Sequence, residues 1–199
     1  MRILIALILV LYSSLAYSGE ISKYALETAL SYDGSLEATG NNDGPIIESF
    51  LNYIGLKKGN PYCMSFVVFC YHKSTERLSR KDVLPKIGRV AMQWENAKKN
   101  PLKYKIVTPS QLKLGIEKLN PGDISIHTRG GGTEYNFNGH TGIVIVQNNM
   151  QYDAEEGNTS PPKGKVKDEG EGGGVFRKTR HIDVTNGNLG LKGFVRIIE

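Results

Sequence analysis

The sequence is poor in the features that build disulfide scaffolds, metal clusters and membrane spans. Two cysteines among 199 residues are too few for a disulfide framework or a four-thiolate zinc site. No run reaches the roughly 18 consecutive apolar residues of a transmembrane helix, so we do not expect the mature chain to span a membrane. One tryptophan and scattered basic residues leave no aromatic-lined basic stripe, which argues against nucleic acid as a partner.

The sequence does contain enough apolar material for one core. Hydrophobic residues make up 39% of the chain and charged residues 23%, which is typical of a single globular domain. The 23 glycines follow no Gly-X-Y repeat and therefore indicate loops and tight turns. The formal net charge of +5 favours binding to acidic surfaces or polymers.

The first 18 residues have the pattern of an export signal. Arg2 precedes an apolar run at residues 3–11, and the small residues Ala16 and Ser18 suit a signal peptidase. An uncleaved anchor helix is the alternative, but the apolar run is too short for one. We therefore expect cleavage after Ser18, an exported protein, periplasmic or secreted, and one working domain at residues 19–199.

The working domain is predicted to consist of helices followed by strands. Apolar residues at helical spacing predict helices at residues 21–32, 45–54, 90–97 and 112–119. Residues 62–71 are apolar nearly all round, which fits a buried strand or a buried helix, and we favour a central buried helix. Alternating segments then predict five short strands, at residues 123–128, 139–147, 150–156, 175–180 and 193–198. This order indicates an α+β fold with a five-stranded antiparallel sheet.

Cys63 is the candidate nucleophile. It stands at the start of the predicted buried helix, where the aligned backbone amides stabilise a thiolate and a substrate can approach. Cys70 follows seven residues later, about 10.5 Å along a helix, too far for a disulfide with Cys63. Two buried structural thiols are the alternative, and that description fits Cys70 better than Cys63.

His140 is the candidate base among four histidines. His72 and His181 stand beside charged residues and are interpreted as solvated, and His127 ends a predicted strand. His140 lies in the sequence NGHTG, whose glycines allow another chain or a ligand to approach the backbone closely. A purely structural histidine is the alternative at each of these positions.

The strand that returns after His140 supplies candidates for a group that orients the imidazole. A two-residue turn at Asn148 would place Glu156 and Asn158 on the face opposite His140. A loop of three residues would place both polar side chains on the face of His140, where either could fix the tautomer of the ring. A polar strand end without a function is the remaining alternative.

Four motifs in this order resemble the CHAP domain family. They are GNPYCMSFV at residues 59–67, NPGDI at 120–124, GHTGIV at 139–144 and EGN at 156–158, with a GNNDG loop upstream at 40–44. The resemblance extends over about residues 22–199, nearly the whole mature chain. It implies a papain-like α+β fold, related to the NlpC/P60 group, with a central nucleophile helix packed on the sheet.

The resemblance also implies an activity and a site. CHAP domains are amidases or endopeptidases that cut peptidoglycan peptides. The family's cysteine and histidine correspond to Cys63 and His140, and its acidic and amide residues correspond to Glu156 and Asn158. We therefore expect these four residues to be catalytic.

The sequence departs from the family pattern beside the thiol. Tyr62 stands where many members have tryptophan, and Met64 where a small residue is common. Both residues are expected to change the shape of the cleft beside the thiol, and we expect Tyr62 to contact the substrate. A long, glycine-rich insertion at residues 129–138 is expected to form part of the cleft wall.

Together these features predict an exported cysteine hydrolase that cleaves peptidoglycan at the N-acetylmuramoyl-L-alanine amide or at a peptide cross-link. His140 takes the thiol proton, and the Cys63 backbone N–H and Asn60 are candidate donors to the oxyanion. No cofactor and no metal are expected; for the polar loop at residues 33–43 we favour solvation over a calcium site. We expect a monomer whose partner is peptidoglycan.

Other functions remain open at this point. A catalytically silent module on the same fold would bind the cell wall or a partner, although all four expected site residues are present. A secreted antibacterial toxin would use the same chemistry on a competitor's wall. A thiol acyltransferase or a peptidase acting on proteins is a third alternative.

Overall fold

The computed structural model describes residues 19–133, 136–161, 173–183 and 189–199. These residues form five helices, α1 (Glu20–Leu30), α2 (Pro45–Tyr53), α3 (Cys63–Arg77), α4 (Val90–Lys99) and α5 (Pro109–Lys113). The same described residues form six strands, β1 (Tyr104–Val107), β2 (Ile124–Thr133), β3 (Asn136–Asn148), β4 (Gln151–Thr159), β5 (Gly174–His181) and β6 (Leu189–Ile197). The predicted export signal at residues 1–18 lies outside the described residues.

Helix α3 is apolar on nearly all sides because other elements surround it. It packs against α1 and α2 and, on its other side, against β3 and β4. Its residues from Cys63 to Tyr71 are all buried. The prediction of a buried helix rather than a strand at residues 62–71 is therefore confirmed.

The strands form one antiparallel sheet in the order β1-β6-β2-β3-β4-β5. All five predicted strands are present, but the predicted count of five is wrong, because β1 pairs with β6 at the edge as a sixth strand. Strand β1 has only four residues, of which Tyr104 and Val107 are buried. Its pattern of apolar and polar residues is therefore too short to be recognised as a strand in the sequence.

The fifth helix begins in the segment at residues 108–111, which the sequence indicates as a helix start, but it is shorter than predicted. It begins at Pro109, where the Thr108 side chain and Gln111 form a reciprocal capping box. It ends at Lys113 instead of continuing to residue 119, because Gly115 adopts a left-handed conformation with φ of 67°.

The hairpin between β3 and β4 combines a two-residue turn with the register that was predicted for a three-residue loop. Asn148 pairs with Gln151, so the turn has two residues, yet a bulge between Val144 and Val146 shifts the pairing by one residue. Beyond the bulge, Ile143 lies opposite Glu155. This is the register expected for the three-residue loop, reached through a bulge.

The core has two parts, one on each face of the sheet. The larger part lies between the sheet and helices α1 to α4, and the smaller part lies under α5 on the opposite face. None of the five described helices has both the length and the hydropathy of a bilayer-spanning segment.

Candidate active site

Cys63 is the first residue of α3 and lines an open cleft of about 700 Å³. Its side chain is only 6% exposed, so the sulfur lies at the inner end of the cleft rather than on the outer surface. The backbone N–H of Cys63 belongs to the first turn of α3 and therefore has no partner within the helix. Both the thiol and an amide donor are thus present at one point of the cleft.

His140 connects the cysteine to a buried carboxylate. The Cys63 side chain lies close enough to His140 to raise the pKa of its ring, and Nε2 of His140 lies 2.7 Å from Oε2 of Glu156. Because Nε2 is occupied by the carboxylate, Nδ1 is the nitrogen left for the sulfur. Burial acts to lower the pKa of His140, but the Glu156 carboxylate and the Cys63 side chain outweigh burial and raise this pKa from 6.5 to about 9.

Glu156 is fully buried and is held from its other side by Arg180. The Nε of Arg180 donates to Oε1 at 2.8 Å, and its terminal nitrogen donates to Oε2 at 2.6 Å. Burial acts to raise the pKa of Glu156, but the Arg180 hydrogen bonds and the nearby His140 outweigh it and lower the pKa to about 2. The carboxylate is therefore ionised throughout the neutral range.

Arg180 was not predicted to be part of the site, because the charged segment around His181 was interpreted as solvated. The arginine lies on β5, opposite Tyr152 of β4, and its side chain is 15% exposed. A basic residue on the strand next to a buried carboxylate is the only sequence signal for this pair, and the strand pairing is needed to see it.

Three glycines near the site leave space that neighbouring side chains of the protein fill. This space is therefore not open to a ligand. A Cβ on Gly142 would lie 2.6 Å from Cγ of Glu156, and one on Gly139 would lie 2.6 Å from Cβ of Val90. A Cβ on Gly157 would lie 2.8 Å from Cβ of Phe66 on α3. The glycines therefore allow the carboxylate, α4 and α3 to pack closely on the sheet.

Of the two candidates for orienting the imidazole, the structure places Glu156 on the ring. Asn158 lies at the cleft with φ of 56°, and its backbone lies beside the Tyr62 hydroxyl. Asn158 is therefore available to a ligand in the cleft, whereas Glu156 is not.

The expectation that Tyr62 contacts the substrate needs correction. The Tyr62 side chain is fully buried and packs against Phe50. Its hydroxyl donates to Oε1 of Glu37 at 3.1 Å, which fixes the ring inside the core. The residue before the nucleophile thus anchors the start of α3 rather than lining the cleft.

Asn60 does line the cleft, as a donor to the oxyanion must. Its side-chain nitrogen donates to the Lys57 carbonyl at 2.9 Å. That contact fixes the orientation of the amide and leaves the second N–H of the same nitrogen to another acceptor.

The remaining cysteine and histidines lie elsewhere. Cys70 is fully buried, burial raises its pKa, and both cysteines are reduced as predicted. The Nδ1 of His72 lies 2.9 Å from Oδ1 of Asp82, within hydrogen-bond distance. His127 does not end a strand: it is fully buried within β2, where its Nε2 lies 2.7 Å from the Tyr152 hydroxyl and burial lowers its pKa to about 4.

The cleft walls come from four parts of the chain. They are the turn before α3, the segment that leads into α4, the facing ends of β2 and β3, and Asn158. Arg129 and Asn138, the first and last residues of the insertion at residues 129–138, both line the cleft.

The polar loop before α2 is held by its own side chains. The Asp43 carboxylate accepts hydrogen bonds from the backbone N–H and the hydroxyl of Thr39, at 2.9 and 2.8 Å. Among the described residues, no group of three or more histidine, cysteine, aspartate or glutamate side chains is arranged to hold a metal ion.

Comparison with solved structures gives distant similarities, among them those to two proteins. No family model and no curated protein matches the chain. The structure is similar to the endolysin LysIME-EF1, with a TM-score of 0.45 and 17% identity over 88% of this chain and 63% of that one. It is also similar to a mutated form of the Resuscitation Promoting Factor Interacting protein RipA, with a TM-score of 0.41 and 15% identity over 90% of this chain and 62% of that one.

The chain thus spans less than two thirds of the length of either protein. The chemistry of the site is therefore inferred from the geometry of its own residues.

Proposed function

We propose that this protein is an exported cysteine hydrolase that cleaves amide bonds of peptidoglycan. The observation that supports the proposal best is the continuous contact from Cys63 through His140 to Glu156, with the sulfur in an open cleft. A nucleophile, a base and a group that orients the base are the three components of thiol-based acyl transfer. The motifs shared with CHAP domains support peptidoglycan as the substrate.

The resting site holds its proton on the imidazole. With a pKa of about 9, His140 is protonated at neutral pH, so a positively charged ring faces the sulfur of Cys63. Glu156 balances the charge of the ring, and Arg180 keeps Glu156 ionised and fixed.

The reaction then follows the order of acyl transfer through a thioester. The Cys63 thiolate attacks the amide carbonyl, and the carbonyl oxygen becomes an oxyanion. His140 gives its proton to the nitrogen as the carbon–nitrogen bond breaks, which releases an amine and leaves an acyl group on sulfur. His140 then takes a proton from water, whose oxygen attacks the thioester and releases the carboxylic acid and the cysteine.

Two donors are proposed for the oxyanion. The Cys63 backbone N–H lies at the start of α3, where the helix dipole also favours negative charge. Asn60 offers the second N–H of its side chain from the same wall of the cleft. Asn158, at the cleft but away from the imidazole, is proposed to contact the substrate rather than to orient the base.

A pair of matched serine variants tests the proposal. Cys63→Ser is expected to abolish the release of soluble fragments from purified sacculi, while Cys70→Ser, which changes the same chemical group in the core, retains activity in its folded fraction. Circular dichroism and the unfolding midpoint verify that both variants fold. Parent-level activity in folded Cys63→Ser protein would contradict the proposal and favour a binding module.

Mass spectrometry of the released fragments identifies the bond. New N-terminal alanine would indicate cleavage of the muramoyl–alanine amide, and shortened peptides with intact muramic acid linkage would indicate a cross-link peptidase. Release of sugar fragments alone would contradict amide hydrolysis.

A further inference from the structure

The cleft beside Cys63 carries positive charge. Three basic residues line it, Lys86, Arg89 and Arg129, and no aspartate or glutamate is among the described residues that line it. Apolar side chains, Ile87 among them, form much of the remaining surface. A ligand that fits this cleft therefore combines an aliphatic part with negative charge.

Arg129 stands close to the reacting groups on the sheet. In the pairing of β2 with β3, His127 lies opposite His140 and Arg129 lies opposite Asn138. Side chains alternate along a strand, so Arg129 is on the same face as His140, two residues or about 7 Å further along. A guanidinium at this position reaches a group bound next to Cys63.

Among the described residues, no carboxylate neutralises the charge of Arg129 or Lys86. Several other surface cations are paired, as Arg77 is with Glu27 at 3.0 Å. Neither Arg129 nor Lys86 forms an ion pair with a carboxylate of the described residues, although both side chains are exposed. The Lys86 ammonium lies 4.1 Å from the centre of the Tyr53 ring, which holds it at the rim without cancelling its charge.

We propose that the cleft selects peptides with a free carboxylate next to the scissile amide, and that Arg129 binds this carboxylate. A planar guanidinium takes a carboxylate through two parallel hydrogen bonds, and an uncharged amide at the same place keeps only part of that interaction. Lys86 adds positive potential from the facing wall. The inference rests on the proposed function, because it assigns the specificity of the same site.

Binding to an inactive protein tests the selection without turnover. The probes are N-acetylmuramoyl-L-Ala-γ-D-Glu-L-Lys-D-Ala and two forms of it, one amidated at the glutamate α-carboxyl and one at the C-terminus. We expect calorimetry with Cys63→Ala protein to show about tenfold weaker binding of one amidated form. Adding Arg129→Gln is expected to remove this difference, whereas Lys99→Gln, which removes an exposed charge outside the cleft lining, is expected to preserve it.

Equal affinities for the three peptides, or no binding of any, would overturn the inference. A preference that persists in Arg129→Gln protein would overturn the assignment to Arg129. Hydrolysis by protein with Cys63 intact is a separate readout: equal kcat/KM for all three peptides would leave the proposed function standing and overturn the charge selection. Charge-dependent binding with no hydrolysis would support the selection and contradict the proposed function.

Discussion

Replacing Glu156 with glutamine tests whether this carboxylate keeps the His140 ring protonated. The substitution keeps the shape of the side chain and removes its charge. The rise in the His140 pKa from 6.5 to about 9 corresponds to about 3 kcal/mol in favour of the charged ring, and Glu156 is the largest contribution that opposes burial. In Glu156→Gln protein, burial is expected to dominate and lower the His140 pKa below 6.5.

The pH dependence of kcat/KM measures this change. The parent protein is expected to stay active until His140 loses its proton, so the alkaline limb of its kcat/KM profile is expected near pH 9. In Glu156→Gln protein the limb is expected below pH 6.5, and kcat/KM at pH 8 falls about 100-fold, because loss of about 3 kcal/mol of stabilisation of the ion pair appears in the barrier. Initial rates on a soluble stem peptide from pH 5 to pH 10 provide the profile.

The stability of the same variant depends on pH in a defined way. The raised pKa of His140 contributes stability that is complete below pH 6.5 and is lost as the pH rises to about 9. The lowered pKa of Glu156 contributes stability that is complete above pH 4.5 and is lost as the pH falls to about 2. The loss in unfolding free energy on Glu156→Gln is therefore expected to be largest between pH 4.5 and 6.5, as measured by urea denaturation.

Asp123 provides a matched control. Its carboxylate is also buried and is bound by Arg196 through two hydrogen bonds of 2.8 Å, but it does not line the cleft. Asp123→Asn is expected to destabilise the fold while keeping the alkaline limb of the parent. The reasoning is refuted if Glu156→Gln keeps that limb, or if Asp123→Asn shifts it in the same way.

Three further predictions concern the parts around the imidazole. Arg180→Gln is expected to lower kcat about tenfold with little change in KM, because the Glu156 carboxylate loses both of its anchoring hydrogen bonds; a change in KM alone would contradict this. Gly142→Ala is expected to lower the unfolding free energy by about 1–3 kcal/mol in urea denaturation, because the new methyl group overlaps Glu156; unchanged stability would contradict this packing. Iodoacetamide near pH 6 is expected to label Cys63 before Cys70, as read by peptide mass spectrometry, and equal slow labelling would favour a binding module.

The helical half of the fold and the position of Cys63 at the start of a helix could be predicted from the sequence. Local patterns suffice for most of this half, because α1 and α2 each have an apolar face and the first nine residues of α3 are all buried. Tyr62 shows the limit of local patterns. Its place next to Cys63 in the chain suggested a place in the cleft, but the turn before α3 points the ring into the core.

The sheet half could be predicted only as a set of strands. The bulge between Val144 and Val146 decides which side chains meet His140, and a single extra residue leaves no distinctive signal in the sequence. Arg180 was missed for a similar reason: its partner Glu156 is 24 residues away in the chain, and only the pairing of β4 with β5 brings the two together.

The buried charges of the site are tolerable because their signs alternate. Arg180, Glu156 and the protonated His140 form a row in which each neighbour has the opposite sign. Isolated buried charges are costly, and removing one partner of a buried pair costs about 3–5 kcal/mol. Glu156, in the middle, stabilises two neighbours, whereas Arg180 and His140 at the ends each stabilise only one. A change that removes the charge of Glu156 therefore destabilises both cations and disturbs the imidazole that faces Cys63.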